Sequence, residues 1–404
     1  MSLAIAIGGL AFLILIHEAG HFFTALAVKM RPRRFYVFFP PALVKRTWRG
    51  IEYGVGSIPL GGYVKIPGMH RPAAGDLEAH LDGAIREAPW LADVAAPAKK
   101  ALSEENAAEA GAAVSELRAA VTRAELSEPV RRQAERGLTD VEDGLSADAY
   151  WRAPAWKRIA VILAGPATNL VFAVAALAVV FMLGVQEATR TVAEVTPSSP
   201  AAAAGLHPGD HVLAVGDAQG SPRRIAAAID ASKGRPLTVR VERGGRILTL
   251  HGRPRLDEDG VYRLGFSFTT AERSYGPREA ATRALDATWE VTKGIGGALG
   301  RIVTGDGRDE VSSVVGITAV SSEAVEQGLV DFLFVLAFIS LSLALLNLLP
   351  LLPLDGGHIA FSLAEWIRGR AIPREAYERA SAVGIALVLF LFVIGLSNDI
   401  GNLG

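Results

Sequence analysis

The stretch LAIAIGGLAFLILIHEAGHFFTALAV, residues 3–28, decides how the rest of the chain is read. It exceeds the ~20 apolar residues that carry a helix across the ~30 Å hydrocarbon layer of a bilayer. Its interior nevertheless holds His17, Glu18 and His21. Ionisable side chains inside an apolar helix are costly in lipid and usually face a bundle interior or an aqueous cavity. A polar task is therefore expected where composition alone would predict a plain anchor. No basic residue precedes the run and no convincing cleavage site follows it, so it reads as a retained span and not as a secretory signal.

Three further apolar runs follow, roughly Ile159 to Val185, Val330 to Leu349 and Ala382 to Leu396. A hydrophobic content of 50% and a mean hydropathy of +0.29 over 404 residues fit this pattern. The fold class expected is a polytopic α-helical membrane protein with four transmembrane helices. With 41 Lys+Arg against 42 Asp+Glu the net charge is −1, which excludes the global basic field of a nucleic-acid binder. Cysteine is absent, so any metal must be held by His, Asp or Glu. Basic residues collect at cytoplasmic span ends. Lys29, Arg31, Arg33 and Arg34 follow the first run, and Arg152, Lys157 and Arg158 precede the second. Arg368, Arg370, Arg374 and Arg379 separate the third and fourth. Both connections are thereby placed in the cytoplasm, with the termini and the middle segment outside a cell membrane.

Between the spans, residues 31–70 carry strand signals with Gly and Pro at the joints, as in Arg34 to Phe39, Glu52 to Ile58 and Gly61 to Ile66. Pattern alone leaves open a sheet lying on the membrane surface and a hairpin dipping toward an active site. In the second case it would offer an edge to an unwound substrate. Residues 71–150 show helical spacing and no catalytic pattern. The first span is taken as 1–30 and the second as 155–186. Residues 188–270 contain Gly205-Leu206-His207-Pro208-Gly209-Asp210 and an alternating strand, which resembles the PDZ domains of bacterial proteases. An amphipathic segment, 271–328, leads to spans at 329–362 and 380–397.

His17 and His21, four apart on a helix, share one face and can reach one ion, with Glu18 beside it as a base. Zn²⁺ with an open position for water suits that set. A structural polar cluster or a proton relay is the alternative, although a relay does not require this spacing. Catalytic zinc takes three protein ligands. Asp355, in Leu354-Asp355-Gly356-Gly357-His358 at the cytoplasmic end of the third run, matches the two histidines in depth and side. A capping aspartate at a helix end would look the same. His207 and His211 are also four apart, but Pro208 and Gly209 forbid a helix between them, so they read as surface residues.

These motifs together resemble the site-2 protease family of intramembrane zinc metalloproteases, most closely its bacterial RseP-like branch with a single PDZ domain, as in actinobacteria. The resemblance covers most of the chain. It implies His17, His21 and Asp355 as zinc ligands and Glu18 as the catalytic base. Gly165-Pro166-Ala167-Thr168-Asn169 resembles the family's G-P-x-x-N. Pro59-Leu60-Gly61-Gly62-Tyr63-Val64-Lys65 resembles the end of its membrane-associated β region, which favours substrate contact there. Asn169, Gly61, Gly62 and Asn347 are thus expected to position substrate. The implied reaction is cleavage within the span of a single-pass membrane protein, of the anti-sigma-factor or remnant-signal-peptide type, after an upstream site-1-type protease has shortened it. The alternative function is a membrane-anchored PDZ binding module with a vestigial metal site. This chain departs from the family pattern at Leu352, at Phe38-Phe39-Pro40 and in the length of 71–150.

Overall fold

A computed structural model describes residues 1–257, 259–304 and 313–403. The chain divides into two compact units, Ala178–Arg283 and the remainder, Met1–Leu177 with Ala284–Gly404.

In the larger unit, α1 (Ser2–Ala27) leads into two long antiparallel strands, β1 (Arg34–Trp48) and β2 (Ile51–Lys65). The turn between them uses Arg49 and Gly50, both at positive φ, where glycine carries no penalty. Each strand folds on itself. Residues 34–37 pair with both 52–55 and 62–65, and 44–47 pair with 52–55, so 62–65 lies at one edge of the sheet. β1 therefore continues through Pro40 and Pro41, where sequence suggests a joint. Four helices follow: α2 (Ala74–Glu87), α3 (Leu91–Ser103), α4 (Ala107–Arg123) and α5 (Glu128–Leu145). They enclose their own core, in which Leu77, Leu81, Leu91, Leu117 and Leu138 are at most 1% exposed. Full burial of one such leucine stabilises by about 1.5–3 kcal/mol. α6 (Ala155–Leu183) is the second long apolar helix.

The smaller unit holds β3 (Val185–Val195), α7 (Pro200–Ala203), β4 (His211–Val215), β5 (Ala218–Gln219), α8 (Pro222–Ala231), β6 (Leu237–Arg243), β7 (Arg246–Gly252), β8 (Arg255–Leu256), β9 (Tyr262–Arg263) and β10 (Phe266–Arg273). Its main sheet runs β10-β3-β4-β6-β7, with β10 at an edge. Val192, Val212, Ile225 and Val241 fill the core. Asp210 organises the turn before β4. It accepts from Arg243 Nε at 2.6 Å and Nη2 at 2.7 Å and from the His207 amide at 2.9 Å, while Arg243 also donates to the Gly205 carbonyl at 2.7 Å.

After α9 (Pro277–Thr304) and α10 (Val314–Gln327) come α11 (Leu329–Asn347), α12 (Asp355–Arg368) and α13 (Arg374–Leu403). The third span expected at 329–362 is two helices, because the Pro350 and Pro353 segment breaks the backbone hydrogen-bond ladder and Asp355 opens a new helix. A methyl group on Gly356 would collide with the carbonyls of Leu348 and Leu349, so the loop folds tightly over the start of α12. α13 begins before 380, since its first turns are polar and carry no hydropathy signal. Among the described residues, four helices are long and apolar enough to cross a bilayer: α1, α6, α11 and the part of α13 from Glu375 to Asp399.

Candidate metal centre

α1 and α6 meet where side chains are smallest. A methyl on Gly20 would strike the Ala164 carbonyl and the Thr168 hydroxyl, and one on Gly165 would overlap the His21 ring. Small residues let membrane helices approach this closely. The approach puts the α6 backbone within reach of α1, and His21 Nδ1 donates to the Val161 carbonyl at 2.8 Å. That bond fixes the neutral tautomer whose Nε2 carries a free lone pair.

His17 is held from its other side. Its Nδ1 lies 3.4 Å from the Asn169 amide nitrogen, while Asn169 Oδ1 is buried without a partner. Exchanging the two near-isosteric amide atoms gives Oδ1 a hydrogen bond from Nδ1–H and leaves Nε2 of His17 unprotonated as well. Asn169 is 0% exposed, and its own carbonyl accepts from Ser340 Oγ of α11 at 2.9 Å. Sequence reading assigned Asn169 to substrate, but its side chain lies behind His17.

The two Nε2 atoms stand 3.3 Å apart, and Asp355 Oδ2 is 3.2 Å from that of His17 and 3.3 Å from that of His21. This oxygen is buried and makes no hydrogen bond of acceptable geometry. Two imidazole lone pairs and a carboxylate oxygen directed at one another repel unless a cation sits among them. The three residues form a candidate metal-binding group, with donor atoms within 4.8 Å of one another. A nitrogen-rich set with one carboxylate fits zinc.

Glu18 lies beside this group, with the hairpin against it. A methyl on Gly62 would overlap Glu18 Cγ, and the Val64 amide faces the carboxylate. Gly61, at φ +153, packs against the Phe39 ring. Asn347 is the half-buried last residue of α11. His358 is half-buried with its ring 6.5 Å from that of His70, His207 is exposed, and His211 contacts Thr191. Sequence reading missed Val161 and gave Gly165 no role of its own. Any residue supplies a backbone carbonyl, so Val161 left no signal.

The model of peptidase family M50 matches residues 5–391. The metalloprotease MmpA of Caulobacter vibrioides is 29% identical, covering 97% of this chain and 94% of its own length. A protein of Agrobacterium fabrum assigned as a zinc metalloprotease is also 29% identical, covering 98% and 94%. The regulator of sigma-E protease RseP of Salmonella typhimurium is 28% identical, covering 100% and 99%. With these relatives the binding-module alternative falls away, because the family model covers residues 5–391 and the relatives are metalloproteases by name. The chain belongs to peptidase family M50, the site-2 proteases, and is a multi-pass membrane zinc metalloprotease.

Proposed function

We propose that His17, His21 and Asp355 hold the zinc ion, that Glu18 is the catalytic base, and that the substrate is the membrane span of a single-pass protein. The observation that carries this reading is the convergence of the three donor atoms beside Glu18, with the hairpin edge at its side. Zn²⁺ bound there supplies Lewis acidity to a peptide carbonyl and to water. Glu18 takes the proton of the attacking water and returns it to the departing amine. Val161 and Asn169 hold the two imidazoles in the ligating tautomer, so in this account Asn169 positions a ligand and not the substrate. Asn347 and the segment around Gly61 and Gly62 align the substrate backbone. Among the described residues, 62–65 pairs on one side only, with 34–37, which leaves an edge for an unwound strand.

The basic flanks favour a cytoplasmic hairpin and 71–150 insertion and an extracytoplasmic 188–270 unit. We read that unit as a PDZ domain. Its groove of about 920 Å³ lies between α8 and the β10 edge and is lined by Ile229, Leu264, Gly265, Phe266 and Phe268 with Arg223 at the rim. Such a groove suits an extended apolar C-terminus of the kind an upstream site-1-type protease leaves behind. A relative named regulator of sigma-E protease supports substrates of the anti-sigma-factor type, and remnant signal peptides share the same single-span chemistry. The test is cleavage of a single-pass reporter in proteoliposomes by wild type and Glu18→Gln at equal zinc content. Undiminished cleavage by the variant would refute the assignment of the base.

A further inference from the structure

Residues 71–150 take no part in the chemistry above, yet they fold as a self-supporting bundle that grips the base of the hairpin. Arg33 stands just before β1 and Lys65 ends β2, and the Arg33 amide donates to the Lys65 carbonyl at 2.8 Å. From the bundle, Asp143 accepts from Arg33 Nε at 2.8 Å, and Asp148 accepts from Nη1 and Nη2 at 3.0 and 3.1 Å. Lys65 Nζ is paired with Asp140 and lies 3.4 Å from Asp143. The chain leaving the bundle also runs beside the chain leaving the hairpin, with the Tyr150 amide on the Pro67 carbonyl at 2.8 Å and that of Trp151 on Gly68 at 3.0 Å.

An isolated exposed ion pair contributes little. Here Arg33, Asp143 and Asp148 are 25%, 15% and 26% exposed at the side chain, and the guanidinium is engaged through three nitrogens by two carboxylates. Such a fork fixes orientation as well as distance. Lys65 is next to Val64, whose amide faces Glu18, and three residues from Gly62, which touches it. At about 3.3 Å per strand residue, the clamp and the contact with Glu18 lie within about 10 Å of each other. A misplacement near 1 Å at a reacting centre can cost about 10²-fold in rate.

We infer that the α2–α5 bundle is a positioning clamp: Asp140 and Asp143 of α5, with Asp148 just beyond it, hold Arg33 and Lys65 and so set where the Gly62–Val64 edge stands against Glu18. The kinetic consequence rests on the proposed roles of Glu18 and the hairpin; the mechanical one does not.

The chain has no cysteine, so spin labels on Ala27→Cys and Thr47→Cys report the distance from α1 to the hairpin without background. In the full-length protein the clamp predicts a narrow distribution that broadens in Asp143→Asn/Asp148→Asn. The same variant should lower kcat/KM for a single-pass reporter by up to about 10²-fold, with kcat falling as well as KM rising and one zinc per chain retained. Arg33→Lys, which keeps the charge and loses the fork, should give a milder version, and Asp143→Glu should restore wild-type behaviour. An unchanged distribution, a broadened one with unchanged kinetics, or a loss of activity that follows loss of zinc would overturn the inference. Broadening with no cleavage even by wild type would count against the proteolytic reading and support the clamp.

Discussion

Asp210 and Asp355 are both acids drawn into the fold, and the difference between them separates structure from site. Both oxygens of Asp210 accept hydrogen bonds, from Arg243 and from the His207 amide, so the side chain completes a turn and leaves nothing to bind. Asp355 Oδ2 is buried with no hydrogen bond and points at two histidine nitrogens whose other ring atoms are already engaged. A buried polar atom without a partner costs about 1–3 kcal/mol, more when charged. A fold retains such an atom where a bound ligand offsets the cost. Burial alone would single out Asp210, whose side chain is 1% exposed against 17% for Asp355; the partner inventory points to Asp355 instead.

The largest effect expected concerns the residue beside the Asp355 cluster. Glu18→Gln keeps the shape and removes the base, so the rate of reporter cleavage should fall by about 10²–10⁴-fold with zinc unchanged. Gly62→Ala should follow, with a loss of about 10²-fold, because its methyl displaces either the Glu18 side chain or the hairpin edge. Competitive zinc titration should show Asn169→Ala weakening metal affinity by about 10–100-fold, the effect of removing a group that orients a ligand. Unaltered affinity would return Asn169 to the substrate.

On the Asp210 side the effects are smaller and lie in stability. Burial pushes the Asp210 carboxyl up, but Arg243 and the His207 amide outweigh that and hold it below its ordinary value. A carboxyl lowered in the folded state contributes stability that is complete above its unfolded value, near 3.9, and is lost as pH falls through the folded one. Calorimetry should therefore show the 178–283 transition dropping as pH decreases below about 4. Asp210→Asn should lower that transition by about 4–8 °C at neutral pH, weaken the acid dependence, and leave zinc and Glu18 chemistry intact.

Much of the architecture is legible in the sequence because it depends on one-dimensional patterns. Four apolar runs became four helices able to cross a bilayer, and a four-residue spacing set His17 and His21 on one face of α1. The break of the expected 329–362 span, with α12 starting at Asp355, is missed by those patterns: it follows from Pro350 and Pro353 ending one helix before another begins. What else stayed hidden depends on contacts between distant residues. The double pairing of 34–37 is set by folding each strand on itself, and alternation along one strand cannot reveal it. Arg33 and Asp143 lie 110 residues apart, and each reads alone as a solvated charge. Asn169 appears in the sequence as a polar residue in a span, but which way it faces depends on the Gly20 and Gly165 contact that brings α6 onto α1.

The most direct measurement is the metal content of Asp355→Ala beside Asp210→Ala, both purified in detergent without chelator. If Asp355 is a zinc ligand, wild type and Asp210→Ala carry one zinc per chain and Asp355→Ala almost none. A full complement of zinc in Asp355→Ala would contradict it.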